Sequence, residues 1–323
     1  MAERREEFSD PPQALEGLRV VELPCLDTMT FLAAAMAAKS FADHGAEVIK
    51  AEPPRTGAQE RRLGPFRDEM PDPETGGMHL FLNTNKLGVT LDLTNQKGRD
   101  LLFRLLDSAD ILLNPNVPAL NERLGIDWRA VTARFPKLIY TSITFFGAES
   151  SYGGLRGGDL VATQMSGVGF ETPWHQVTDP PNQPPLKIGG RQSDYLTGYT
   201  AAAAAMCALF QRKHSGAGMH VDVSQWLAMV SMLRPNLGIH SHESHDSPGY
   251  LRLGTRPKTS MPWLFPCADG WVSFSLGTER FWTGAKRAMG NPEWMESDIF
   301  KTVVDRVAHV DAIEAFLIDW LAS

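Results

Sequence analysis

Cysteine is scarce: Cys25, Cys207 and Cys267 are the three in a chain of 323 residues, and no two are close. That spacing and odd number exclude a disulfide framework and a C-x-x-C metal site, and each thiol reads as a small buried hydrophobe. No apolar run approaches the roughly 18 residues that a membrane span needs. Residues 1–7 are a charged stretch without a signal-peptide core, so the expected location is the cytoplasm. A long basic run is missing too, and the net charge is −7. Nucleic acid is therefore not an expected partner, and any anionic ligand must be held by a few local cations. Internal repeats and a G-x-S-x-G elbow are also absent, which removes solenoids and one class of hydrolase.

What is present is a soluble, globular composition, 43% hydrophobic, long enough for one large domain and a smaller one. Residues 18–23 read as a strand, 30–44 as a helix closed by Gly45, and 47–52 as a second strand, which makes a βαβ unit. The turn after the first strand lacks G-x-G-x-x-G, so a nicotinamide dehydrogenase is the weaker reading. A Pro-, Gly- and charge-rich excursion follows over residues 53–77. Leu101, Leu102, Leu105 and Leu106 then mark a helix within 95–108, and 110–113 and 137–144 are further strands.

The stretch around which the chain is organised is 185–198, with Gly189-Gly190 and then Asp194 where a loop turns into a long helix. Leu196, Tyr199, Ala203, Met206 and Phe210 recur at helical spacing and are the expected apolar face; Ser215-Gly216-Ala217-Gly218 supplies the stop. Ser193 or Asp194 is then the N-cap, and a carboxylate there is expected to accept backbone N–H groups and to be ionised. That description also fits an aspartate that does nothing but cap. Gly189-Gly190 removes side chains from the approach to the carboxylate, and Ala201 to Ala205 allow a close neighbour. His240-Ser241-His242-Glu243-Ser244-His245-Asp246 has metal-ligand residue types, but it runs into Ser247-Pro248-Gly249 and reads as a solvated loop, so no metal is expected.

Several stretches in consistent order resemble one family, the family III CoA-transferases, also called the CaiB/BaiF or formyl-CoA transferase family. They are Ala42-Asp43-His44-Gly45-Ala46-Glu47-Val48-Ile49-Lys50, Asn83-Thr84-Asn85-Lys86, Arg123-Leu124-Gly125, Arg156-Gly157-Gly158-Asp159, the Gly189-to-Gly198 stretch and 213–224. The resemblance implies an α/β fold: a Rossmann-like CoA-binding and catalytic domain, residues 1–230, and a smaller α+β domain, residues 231–323. Members form interlocked dimers and carry a C-terminal return segment that is missing from this sequence. A homodimer or heteromer is the expected assembly.

By the same resemblance Asp194 is the nucleophile of a CoA transfer from an acyl-CoA donor to a free carboxylic acid. Arg55, Lys86, Arg123 and Arg156 are candidate CoA contacts; Gly189 and Gly190 are candidate binding residues whose backbone N–H groups are also candidate donors to the oxyanion. Arg123 as a plain solvated charge stays open. Coenzyme A esters are the expected substrates, with no permanently bound cofactor. Two departures stand out: Pro115-Asn116 replaces the family's Asn-Phe, and no Ala-Gly-Pro step opens the first helix. Racemases of the superfamily place a histidine before the acidic residue, and Gly158 stands there instead, so the general base for moving an α-proton is lacking. Asp159 either supports the site or caps the helix after it. The rival from another class is a non-catalytic CoA-binding subunit.

Overall fold

A computed structural model of the protein describes residues 13–27, 29–172, 179, 181–233, 237–238, 241, 264–273, 276 and 278–322. Short runs between turn residues become strands β1 (Arg19–Glu22), β2 (Glu47–Glu52), β3 (Lys86–Thr90), β4 (Ile111–Asn114), β5 (Ile139–Thr144) and β6 (His220–Ser224). They form one sheet in the order β3-β2-β1-β4-β5-β6, and every pairing is parallel. Neighbouring residues of a strand enter different cores. Val20, Ile111, Leu113 and Ile139 lie on one face, and Val21, Leu112 and Tyr140 on the other. The inner strands β1, β4 and β5, covered on both faces, read as largely apolar runs and are visible in the sequence, whereas the edge strands β3 and β6 carry polar and exposed residues.

The helices up to residue 230 are α1 (Phe31–Ala42), α2 (Gly77–Leu82), α3 (Gln96–Leu106), α4 (Pro118–Leu124), α5 (Trp128–Arg134), α6 (Asp159–Met165), α7 (Val168–Glu171), α8 (Gln192–Ser215) and α9 (Gln225–Val230). Helices α1 and α8 cover one face of the sheet, and α3 and α5 the other. This is a doubly wound, Rossmann-like sheet.

The buried face of α8 is not the one its large side chains suggested. Tyr199, Met206 and Phe210 are exposed, at 57%, 38% and 67%, whereas Thr197, Gly198, Ala201, Ala205 and Ala208 are buried. The cause is α1, which presents Ala33, Ala34, Ala37 and Ala38 to the same core. A Cβ on Gly198 would stand 2.6 Å from the Cβ of Met36 and 2.8 Å from the carbonyl oxygen of Ala33. Helices so close leave no room for a side chain at position 198 and favour alanine along the rest of the seam.

The chain divides into two compact units, Met1–Gly169 with Leu186–Pro235, and Phe170–Pro185 with Asn236–Ser323. In the second, β7 (Leu264–Cys267) and β8 (Gly270–Ser273) form an antiparallel hairpin, followed by α10 (Glu279–Ala288), α11 (Val303–Ala308) and α12 (Val310–Leu321). Its core is Phe265, Trp282, Met295, Phe300, Ile313 and Leu317. The apolar face of the closing helix thus finds cover in its own unit: Ile313 and Leu317 are buried, and Phe316 stacks on Trp294 with ring centroids 4.6 Å apart. The histidine-rich stretch 240–246 lies outside the described residues except for Ser241.

Candidate active site

In an open parallel sheet the crevice for ligands lies beyond the C-terminal strand ends where the winding reverses, here between β1 and β4. The two loops that leave these strands are clasped by a fully buried amide. Asn116 Oδ1 accepts from Leu26 N at 2.7 Å, and Asn116 Nδ2 donates to Pro24 O at 2.9 Å and Asn114 Oδ1 at 3.0 Å. Thr30 Oγ1 adds a bond to Pro115 O at 2.9 Å. The Pro115-Asn116 departure therefore has a structural role: it ties the β4 loop to the β1 loop.

Beside that clasp one carboxylate feels two charges from separate segments. Asp27, half-buried, accepts from Val117 N at 3.4 Å. Burial pushes its carboxyl above the usual value, while the Val117 bond and the charges of Arg156 and Arg123 pull the other way. Both arginines are exposed, one at the end of α4 and one in the loop before α6. Arg55 is exposed as well, in the left-handed region at φ 64°, and its charge acts on Asp92.

Lys86 is placed differently from what its motif implied. Its side chain is 2% exposed and its Nζ donates to Glu22 Oε2 at 2.9 Å, Ala35 O at 2.9 Å and Asn83 Oδ1 at 3.1 Å. All its protons have protein acceptors, so the structure gives it an internal electrostatic task and not a surface contact.

Asp194 is the third residue of α8, one turn before the Gly198 seam, and is 1% exposed. It does not cap the helix. The cap position is Arg191, with no side-chain cap bond, and the function of a cap is supplied from outside: Asp159 Oδ1 accepts Ser193 N at 3.0 Å and Ser193 Oγ at 2.7 Å. Asp159 therefore supports the head of α8 while opening α6, whose own N-cap is Gly158. Asp159 Oδ2 faces Lys187 Nζ at 2.5 Å. Lys187 folds back and also donates to Ile188 O at 2.8 Å and Gly190 O at 2.5 Å, which fastens the glycine loop. Gly190 has φ 73°, which only glycine adopts without strain, and a Cβ on Gly189 would meet nothing within 4 Å. Both glycines are exposed and leave room beside the head of α8.

The Asp194 carboxylate is held by one side chain that sequence reading did not single out. Gln225 Nε2 donates to Asp194 Oδ1 at 3.0 Å and to Ser193 Oγ at 2.8 Å. Among the described residues Arg191 is the nearest cation, 3.9 Å from Asp194 Oδ2. Burial raises the Asp194 carboxyl and the charge of Asp159 raises it further, against Arg191, Gln225 and Lys187, so it sits at about 7. This corrects the expectation of a fully ionised group at neutral pH. A carboxylate kept out of water and close to its own pKa is a stronger nucleophile than a solvated one. The signal for Gln225 was topological. A strand after a crossover helix runs back alongside it, so the end of β6 returns to the head of α8.

The family model described as "CoA-transferase family III" matches residues 15–323. The succinyl-CoA–D-citramalate CoA-transferase of Chloroflexus aurantiacus is 30% identical over 317 residues, 96% of this chain and 73% of that protein. The succinate–glutarate CoA-transferase of Agrobacterium fabrum is 30% identical over 302 residues, 93% of this chain and 72% of the relative. Among solved structures, a CaiB/BaiF family protein from Brucella suis superposes with a TM-score of 0.72 at 27% identity, over 96% of this chain and 78% of that one. Rv3272 from Mycobacterium tuberculosis superposes with a TM-score of 0.75 at 27% identity, over 97% and 79%. Fold, family model and relatives agree along nearly the whole sequence, and this chain belongs to CoA-transferase family III, with coenzyme A esters as its substrates.

Proposed function

We propose that the protein moves CoA from an acyl-CoA to a free carboxylic acid with Asp194 as the covalent nucleophile. The observation that carries this reading is the setting of that carboxylate: buried, bonded through one oxygen to Gln225, and raised to about 7. A residue kept only to cap a helix would accept backbone N–H groups, and here Asp159 does that for the same helix. Asp194 attacks the thioester carbonyl and releases CoA thiolate, leaving an aspartyl anhydride. The thiolate then attacks the aspartyl carbonyl and expels the donor acid, which gives an aspartyl-CoA thioester. An acceptor carboxylate reverses both steps. Several relatives are named for succinyl-CoA, so succinyl-CoA with a panel of short dicarboxylic acids is the first set to assay with the purified chain alone. Label appearing in new CoA esters supports the reading; no exchange with any acid would remove it.

For the CoA end of the site we propose Arg123 and Arg156, which act together on Asp27 at the switch of the sheet, and Arg55 at its rim. Exposed guanidiniums suit phosphates, and contacts made alike in ground and transition state lower KM without raising kcat. Arg123→Ala and Arg156→Ala are expected to raise KM for the CoA ester about tenfold each while changing kcat by no more than about twofold. An unchanged KM in both would make them surface charges. The exposed stripe Tyr199, Met206 and Phe210 on α8 supports association with a second chain. Light scattering is expected to show a dimer, and a stable monomer would count against it.

A further inference from the structure

The hydrogen bonds around Asp194 are directional, and the direction decides which of its two oxygens can react. Ser193 Oγ has one proton and gives it to Asp159 Oδ1 at 2.7 Å. Toward Gln225, 2.8 Å away, the same hydroxyl can only accept. The group of Gln225 that faces it is therefore the NH2, and this fixes the orientation of the whole amide. The second proton of that NH2 goes to Asp194 Oδ1 at 3.0 Å. Gln225 is fully buried, and its Oε1 has no donor among the described residues. An amide that gives up one side of its bonding is held for the other side, the two donors.

Resting on the reading of Asp194 as nucleophile, we infer that Gln225 is a positioning residue that reserves Oδ1 as a permanent carbonyl oxygen and leaves Oδ2 as the attacking atom. The assignment has a second consequence. When thiolate attacks the aspartyl carbonyl of the anhydride, or the acceptor acid attacks the aspartyl-CoA thioester, the electron pair of the C=O bond moves onto Oδ1. The Gln225 N–H already points at that atom, so it is an oxyanion donor for the steps in which the enzyme's own carbonyl is attacked. It has no such part in the first step, where the oxyanion forms on the substrate's acyl group.

Atom bookkeeping makes this testable. In each full cycle the attacking oxygen of Asp194 leaves with the donor acid, and the acceptor acid supplies its replacement. With Oδ1 held, only one position ever exchanges. The experiment incubates the enzyme with succinyl-CoA and succinate whose carboxylate oxygens are all the heavy isotope, for many turnovers, and then weighs the peptide that contains Asp194. Wild-type enzyme is expected to plateau at one heavy oxygen. Gln225→Met, which keeps the length and loses the donors, is expected to reach two, because the freed carboxylate rotates between turnovers. In single turnovers the same variant should release the first CoA within about threefold of the wild-type rate and slow the later step about 100-fold. A merely structural role would slow both alike. Gln225→Leu serves the same purpose should the methionine variant not fold. Two heavy oxygens in the wild type, or one in a folded Gln225 variant, overturns the role of Gln225 and leaves Asp194 as the nucleophile. Turnover with no label on Asp194 overturns the nucleophile itself.

Discussion

Asp194→Asn is expected to lose CoA transfer by at least about 10⁴-fold, as removal of a nucleophile does, and to melt higher than the wild-type protein at about pH 8. The two effects have one cause. In the unfolded chain this carboxyl loses its proton near 3.8, whereas in the folded protein burial and Asp159 hold the proton until about 7. Between those values the unfolded state binds fewer protons, so the folded state loses stability as pH rises. Above about 7 the whole cost is present. An asparagine has no charge to bury, and the gain at about pH 8 is on the order of 4 kcal/mol or less. Below about pH 4 the substitution should be nearly neutral, since the carboxyl is then protonated in both states. Calorimetric melting of both proteins across this range reads the difference, and a lower Tm for Asp194→Asn at high pH would contradict the assigned environment. Activity should follow the opposite sign. The reactive form is the anion, so kcat/KM for the CoA ester is expected to rise with pH through a midpoint of about 7 and then level off. A midpoint in the ordinary carboxylate range would mean that Asp194 is solvated when substrate arrives.

How much of this was legible depended on how local the cause was. The β1–α1–β2 unit was clear because buried strands and an alanine-rich helix closed by Gly45 leave their marks within a few residues. Hydrophobic size misplaces the buried face of α8. At the α1–α8 seam the distance between backbones decides, and it selects glycine and alanine. The charge state of Asp194 departs from its sequence expectation for a similar reason. The reference value assumes water, and what raises it here is burial, with the charge of Asp159, which is distant in sequence and adjacent only in the fold. Asn116 shows the same limit: as a motif it was a departure, and as a buried amide it is the clasp of the site.

Lys50→Met is expected to destabilise the protein by about 3 to 5 kcal/mol. Lys50 lies buried between Glu22 and Glu60, and Lys86 is paired with Glu22 from the other side. The two lysines shift in opposite directions. Burial weighs against both, but Lys50 has two carboxylates and is held protonated above its usual range. Lys86 has one close carboxylate and is repelled by Lys50, which leaves it at about 8. Removing Lys50 therefore strips Glu60 of its ion pair and leaves two acids to one lysine in a space that water does not screen. Breaking a buried pair on one side costs far more than deleting both partners, because the orphaned charge is what is expensive. The double variant Lys50→Met with Glu60→Gln should accordingly recover at least about half of the loss, measured by urea denaturation. A double variant no more stable than Lys50→Met alone would show that packing, not charge, is at stake. The cluster also tests the placement of Lys86. Glu22 ends β1, so the quartet stands under the loop that carries Asp27, yet Lys86 has no proton left for a ligand. Assayed at a temperature where it is folded, Lys86→Met should keep the wild-type KM for the CoA ester within about twofold. A tenfold rise there, at unchanged kcat, would return Lys86 to the CoA site.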